Sequence, residues 1–268
     1  MSNQLLQIFS TTMMKMPNSS LEDLFFDAAE TEDSAVIEGL FDLLTQQPDL
    51  SSEEISSGIE FIMEAWGASV AASQAKSDFC LRLALLSPPD SEAFRIALQH
   101  AFIRLRKSGF LKSEMLRITG IRDTTRSLKE AAERFTVLEN IHSGVQVFSP
   151  ETGRIGEVEQ TDEITSEIRV RWHNSTSGLN LPLQTAVDGL VFMRAMPTLP
   201  VSSDRSFTES PEAWMDKIYG DFISPCSQSA LRQLAGALAL EAGISVSVLD
   251  EWLEGKSTET VSSAGRHP

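Results

Sequence analysis

The spacing of apolar residues changes once along the chain, near Ser143, and this change limits the folds open to it. Before that point apolar residues recur at helical spacing, as Leu24, Phe25 and Ala28 do. After it, residues 167–172 alternate strictly between apolar and charged side chains, which is the period of a β-strand with one buried face. We therefore expect an α+β protein that is mostly α.

Start and stop signals divide residues 1–141 into several helices. The acidic run at 51–54 opens one helix, and Pro88 and Pro89 break the chain before another begins at 90–92. Helices with short connections favour an N-terminal helical bundle or a short solenoid. No repeat of fixed period points to a named repeat family.

Residues 142–197 contain several short strands separated by glycine and polar residues. In the clearest strand Ile168, Val170 and Trp172 fall on one face, and charged side chains fall on the other. So few short strands are typical of a small SH3-like or Tudor-like β-barrel rather than an independent sandwich.

The remaining residues predict a linker and helices. Residues 196–208 are rich in proline and serine, as connecting segments are. Residues 239–252 have the spacing of a helix-turn-helix with Gly243 in the turn. The acidic side chains of its second helix would be repelled by phosphate, which favours two packed helices over a DNA-reading pair. We expect a linker and C-terminal helices over 198–255 and a disordered tail over 256–268.

Charge is distributed unevenly along the chain, which has a net charge of −16. Residues 1–75 carry 13 acidic side chains and one basic one, whereas residues 95–134 carry ten basic and four acidic ones. This asymmetry indicates a partner-facing surface or two segments that neutralise each other. Binding of nucleic acid is possible but secondary. The candidate basic surface consists of Arg104, Arg106, Lys107, Arg117, Arg122 and Arg126.

The sequence offers no arrangement typical of catalysis. Its four histidines are scattered, and neither a phosphate-binding loop nor a nucleophile elbow is present. Cys80 lies between apolar residues, where a packed thiol is expected, and Cys226 is distant in sequence. We expect no enzyme activity, cofactor, metal or small-molecule substrate. With no membrane helix and no signal peptide expected, the predicted location is the cytoplasm.

Arginines on the predicted barrel are the clearest candidate binding residues. Arg169 and Arg171 share an outward face with Glu167, and Arg154 could join them from a neighbouring strand. Such a group suits contact with phosphate or an acidic protein surface. A solvated face in which Glu167 neutralises part of the charge is the alternative.

A set of short motifs runs through residues 90–255. They are Leu116-Arg117-Ile118-Thr119-Gly120-Ile121-Arg122-Asp123, Arg134-Phe135, Leu138, Gly144-Val145-Gln146-Val147-Phe148, Gly153, Gly156-Glu157-Val158, Leu181-Pro182-Leu183 and Glu251-Trp252. With these motifs the segment resembles the long N-terminal extension of chlamydial-type Gre transcript-cleavage factors, where helices also lead into a small barrel.

The barrel segment is also similar to the Tudor-like RNA polymerase-interacting domain of CarD-type regulators and transcription-repair coupling factors. In that family an exposed strand edge docks on the polymerase β subunit, a form of β-augmentation. The resemblance implies that Arg169, Arg171 and Trp172 contact the partner. The acidic coiled-coil tip and the compact C-terminal domain of Gre factors have no counterpart in the sequence, so transcript cleavage is not implied.

Two functions follow as hypotheses. The first is a transcription-associated binding protein whose barrel docks on RNA polymerase during elongation. The second is a helical protein–protein interaction scaffold unrelated to transcription. Polymerase docking predicts an exposed, pairable strand edge on the barrel. A scaffold predicts a covered edge and a hydrophobic groove on the N-terminal helices.

Overall fold

A computed structural model describes residues 21–255 of the chain. These residues form eleven α-helices, two short 3₁₀-helices and one five-stranded antiparallel sheet, which confirms the α+β, mostly helical class. They divide into two compact units, one made of 21–106 with Ile121–Ala132 and the other of Lys107–Gly120 with 133–255. The predicted tail at 256–268 lies outside the described residues.

The first unit is entirely helical where it is described. Its complete helices are α1 (Leu21–Glu30), α2 (Ser34–Thr45), α3 (Glu53–Trp66), a 3₁₀-helix (Gly67–Ala72), α4 (Gln74–Leu85) and α5 (Glu92–Leu105). Helix α1 packs against α2 and α3, and α5 packs against α3 and α4.

Aromatic side chains and polar caps hold these helices together. Asp33, Ser73 and Ser91 accept backbone N–H bonds at the starts of α2, α4 and α5, as the sequence pattern of helix starts requires. The buried indole of Trp66 donates to the carbonyl of Ala28 at 3.0 Å. This bond joins the last turns of α3 and α1, and Gly58 lies against Phe25 earlier in the same two helices, so the helices run in the same direction.

In the second unit, helices precede and follow the strands of the sheet along the chain. Its elements are α6 (Lys112–Thr119), the larger part of α7 (Leu128–Asn140), β1 (Gln146–Ser149), β2 (Arg154–Asp162), β3 (Glu167–Trp172), β4 (Leu179–Pro182), α8 (Leu183–Gly189), β5 (Val191–Met193), α9 (Pro211–Ile218), a 3₁₀-helix (Tyr219–Asp221), α10 (Gln228–Glu241) and α11 (Val246–Leu253). None of the described helices is long and apolar enough to cross a bilayer.

The five strands lie in the order β4-β3-β2-β1-β5, and every neighbouring pair is antiparallel. The sheet is not the closed barrel expected from the sequence, because β4 and β5 form its two edges. The outer side of β5 is already occupied: the N–H of Ile223 donates to the carbonyl of Phe192 at 2.9 Å, and Met193 bridges Phe222. Within residues 21–255 the other edge, β4, has no strand on its outer side, and three of its four residues are exposed.

One face of the sheet shares a core with the C-terminal helices. Phe148, Ile155, Val191 and Met193 on the strands pack with side chains of α9, α10 and α11. Residues 196–208, interpreted from composition as a linker, supply partly buried apolar side chains to the same core. The sheet and the C-terminal helices are therefore one packed body.

Candidate partner-binding surfaces

The edge strand β4 offers backbone groups that no other described strand uses. The N–H of Leu183 donates to the carbonyl of Ser166 at 2.9 Å, which fixes the alternation of hydrogen bonds between β3 and β4. In that alternation Leu181 exchanges both backbone bonds with β3, whereas the N–H and C=O of Asn180 point away from it. Pro182 presents only a carbonyl at this edge. The outward donor of β4 is thus Asn180.

The side chains beside this edge are arginines held by a carboxylate. Glu159 on β2 accepts a hydrogen bond from Arg169 at 3.1 Å and forms an ion pair with Arg171 at 3.2 Å, and both arginine side chains remain about half exposed. Arg169 lies opposite Asn180 in the register, on the strand next to the edge, and its guanidinium turns toward Glu159 on β2. Arg171 lies opposite Glu157. Two carboxylates therefore balance two guanidinium groups on this face.

Arg154 and Trp172 lie elsewhere on the sheet. Arg154 begins β2 opposite Ser149, at the far end from the pair formed by Arg169 and Glu159. Together with Trp172 it lines a cleft of about 420 Å³ between the sheet and α10. Trp172 is only 9% exposed and faces the buried side of its strand. The four residues grouped by sequence reasoning thus fall into two places.

The candidate basic residues are distributed over both compact units. Arg104, Arg106, Arg122 and Arg126 belong to the first unit, and Lys107 and Arg117 belong to the second. Arg126 is paired with Asp123 and Glu130, and Arg122 donates to the side-chain carbonyl of Gln99 at 3.2 Å. Arg117 is paired with Glu114, and its hydrogen bond lowers the pKa of that carboxyl below its ordinary value.

Another arginine of the basic segment is a buried structural residue. Arg95, 7% exposed, donates to Asp90 at 2.8 Å and to the carbonyls of Ile121, Asp123 and Arg126. It fixes the 121–126 turn against α5. Part of the positive charge counted in residues 95–134 is therefore inside the protein.

A third surface is an apolar groove between α1 and α3, a feature that the scaffold hypothesis predicts, although the sequence did not identify the residues that form it. Phe26 and Phe61 are 50% and 39% exposed, and their rings make an edge contact with centroids 4.9 Å apart. The groove has a volume of about 270 Å³, and its lining includes Phe25 and Gly58. Both exposed phenylalanines fall outside the apolar stripes that define their helices. Their position outside these stripes was the feature of the sequence that could have indicated exposed aromatic side chains.

Both cysteines of the described residues are shielded, Cys80 fully and Cys226 in part. Burial raises the pKa of the Cys80 thiol, which packs 3.7 Å from the sulfur of Met63. Burial also raises the pKa of Cys226 to about 11. Such thiols are poor nucleophiles. Over residues 21–255 no group of three or more His, Cys, Asp or Glu side chains is placed to hold a metal ion.

Comparison with known proteins gives no matching family model, no matching curated protein and no matching solved structure. The resemblance to the Gre extension and to the CarD-type domain therefore stays a prediction. The open β4 edge, the Arg169–Glu159–Arg171 group and the groove are described from the structure of this chain and not from a relative.

Proposed function

We propose that the chain is a non-enzymatic, transcription-associated binding protein whose sheet docks on RNA polymerase during elongation. A Tudor-like or SH3-like module is supported by the connectivity: four strands follow one another, and β5 returns after the short helix α8 to pair with β1. The observation that carries the proposal is the open edge of β4.

A partner strand would add to the sheet beside β4. Such β-augmentation takes its affinity from main-chain hydrogen bonds and its specificity from neighbouring side chains. The outward N–H and C=O of Asn180 and the carbonyl of Pro182 supply the main-chain groups. Because β4 has only four residues, the added strand would be short. A short ladder suits a contact that forms and dissociates during transcription.

The charge beside the edge favours a protein partner over nucleic acid. Glu159 and Glu157 balance Arg169 and Arg171, so this face has little net attraction for phosphate. The half-exposed guanidinium of Arg169, one strand in from the edge, can still bind a carboxylate of the partner. The proposed partner surface is a strand of the polymerase β subunit with an acidic side chain that reaches over β4 to Arg169.

The test is retention of RNA polymerase by the full chain carrying Asn180→Pro, beside Asn180→Thr. Proline removes the outward N–H without removing a bond to β3, and proline is tolerated at edge strands of this orientation. Threonine keeps the N–H and suits a strand. We expect the wild type and the threonine variant to retain polymerase and the proline variant to lose it.

The full chain is required because the sheet shares its core with α9–α11. A fragment ending near residue 197 would expose Phe148, Ile155, Val191 and Met193 to water. Circular dichroism and the urea midpoint of each variant show that it is folded. Equal retention by folded Asn180→Pro and Asn180→Thr would exclude docking through this edge. Loss in Arg169→Glu/Arg171→Glu would then place docking on the arginine face instead.

The second candidate function is a helical protein–protein interaction scaffold unrelated to transcription. The exposed Phe26–Phe61 pair is the observation that favours it. In this case folded wild type retains no polymerase, and substitutions at Asn180 leave the set of captured proteins unchanged.

A further inference from the structure

The groove between α1 and α3 has a lining that defines the chemistry of its occupant. We infer that it binds an amphipathic helix of a partner protein, with apolar side chains in the groove and lysine or arginine along both borders. This site lies in the first compact unit and is independent of docking through β4.

Two exposed aromatic rings provide the anchor surface. Phe26 lines the groove from α1 and Phe61 lines it from α3, and buried Phe25 forms its floor. Gly58 keeps that floor open, since a Cβ at this position would overlap the ring of Phe25. Paired, half-exposed phenylalanines above an apolar floor are typical of a surface that is covered in a complex.

Carboxylates make the border of the groove negative near the N-terminal ends of α1 and α3. Glu22 and Glu54 open α1 and α3, line the groove, and are both exposed. Within the described residues neither makes an ion pair with a basic side chain. Glu30 and Glu64 follow Phe26 and Phe61 by four and three residues, so helical spacing puts them on the same faces one turn further on.

The surrounding sequence strengthens this field. Residues 21–75 contain 13 acidic side chains and no basic one. The cations that neutralise this region come from α4, where Lys76 pairs with Glu32 at 2.6 Å and Arg82 pairs with Glu38 at 2.7 Å. Those pairs use acidic residues of α2 and of the turn before it, and leave the carboxylates that line the groove to a partner.

The shape of the groove selects a helix over an extended strand. Helices α1 and α3 run in the same direction, and the 10 residues of α1 give a length of about 15 Å. That length accommodates about three turns of a partner helix, with anchors at i, i+3 or i+4, and i+7. The backbone groups of α1 and α3 are paired within their helices, so an extended strand would find no main-chain partners there.

The test uses a fluorescent synthetic helix with leucine on one face and lysine on the other, and a twin with glutamate in place of lysine. Binding to the full chain is followed by anisotropy at low and at physiological salt. We expect the lysine peptide to bind and the glutamate twin not to bind. Affinity should fall with salt and remain measurable at physiological ionic strength, since the anchors are apolar.

Two matched pairs of variants locate the site. Phe26→Ser/Phe61→Ser should lower affinity by roughly tenfold or more, while Ile96→Ser, at another exposed apolar residue of the unit, should leave it unchanged. Glu22→Gln/Glu54→Gln should lower affinity several-fold at low salt. Asp42→Asn/Asp78→Asn removes the same charge away from the groove and should have the smaller effect.

Three results would overturn the inference. Equal losses in the two acidic double variants would mean diffuse attraction to the whole unit. Binding seen only after removal of residues 1–20 would make the chain's own N-terminal segment the occupant. A concentration-dependent dimer that dissociates in Phe26→Ser/Phe61→Ser, measured by sedimentation, would make a second copy the occupant.

Discussion

Two groups of paired cations, one in each compact unit, lie at different depths. In the first, Lys76 and Arg95 are buried and used as structural ties, with side chains 5% and 9% exposed. In the sheet of the second, Arg169 and Arg171 stay at the surface and are balanced by Glu159. The first unit thus uses two buried cations as structural ties while Arg82, Arg104, Arg106 and Arg122 stay at its surface, whereas the paired arginines of the sheet are all at the surface.

This difference has a consequence for interpreting charge counts. A block of basic residues in the sequence suggests a basic surface, yet Arg95 is buried and bonded to internal partners, so its guanidinium cannot contact phosphate. Counting Arg95 among the surface charges therefore overstates how basic this surface is. On the sheet, Glu157 and Glu159 balance the charge of Arg169 and Arg171, so the net charge there is close to zero.

The largest expected effect separates buried from exposed arginines. Arg95→Met should lower the free energy of unfolding by about 3 kcal/mol, because Asp90 and three carbonyls lose their donor. Arg169→Met should cost less than about 1 kcal/mol, as exposed pairs do. Urea unfolding of both variants measures the difference. Equal losses of unfolding free energy in Arg95→Met and Arg169→Met would mean that burial does not set the contribution of these arginines to stability.

The next effect concerns the floor of the groove. Gly58→Ala gains about 1 kcal/mol in helix propensity and loses about 1–3 kcal/mol by overpacking against Phe25. The overlap is with a buried ring, so we expect net destabilisation. Gly236→Ala in α10 has nothing within 4 Å of the new Cβ and should be neutral or stabilising. Thermal unfolding of both variants provides the check.

A smaller effect sharpens the electrostatic side of the comparison. Glu159→Gln removes the shared partner of Arg169 and Arg171 and should change stability by less than about 1 kcal/mol. It should raise the affinity for single-stranded DNA at low salt, because the two arginines are no longer balanced. Anisotropy titration with labelled DNA measures this. An unchanged affinity would mean that Glu159 does not limit contact with phosphate.

The smallest effect is a local pH response. Hydrogen bonds from Ser202 and Ser206 lower the pKa of Asp204 to about 2. A lowered folded-state pKa stabilises the 201–207 loop above pH about 4, and the gain is lost as pH falls toward about 2. Tryptophan emission should report the loosening, since Phe207 stacks on Trp252. Asp204→Asn should remove this component of the pH profile.

Local pattern predicted much of the secondary structure. The alternation at 167–172 gave β3 with the right bounds and the right buried face, because period two is visible within six residues. Helix α8 was missed, since Leu181-Pro182-Leu183 resembles a strand and the helix begins at its last residue. Proline and serine content hid the packing of residues 196–208, because burial there depends on side chains far away in sequence.

The candidate sites show the same division between local and distant information. The outward face of Arg169 and Arg171 could be predicted from one strand, whereas the role of Glu159 depends on strand register. The burial of Arg95 depends on carbonyls 26 to 31 residues away. The groove requires that α1 and α3 lie side by side, which no single helix pattern contains.

The four tryptophans give the two units separate optical signatures. Trp66 is the one indole of the first unit, and its hydrogen bond to Ala28 crosses from α3 to α1. In the second unit, Trp214 and Trp252 make an edge contact with centroids 5.7 Å apart, a distance at which neighbouring indoles couple. Near-ultraviolet circular dichroism of Trp66→Phe and Trp252→Phe would therefore resolve the unfolding of each unit without any attached label.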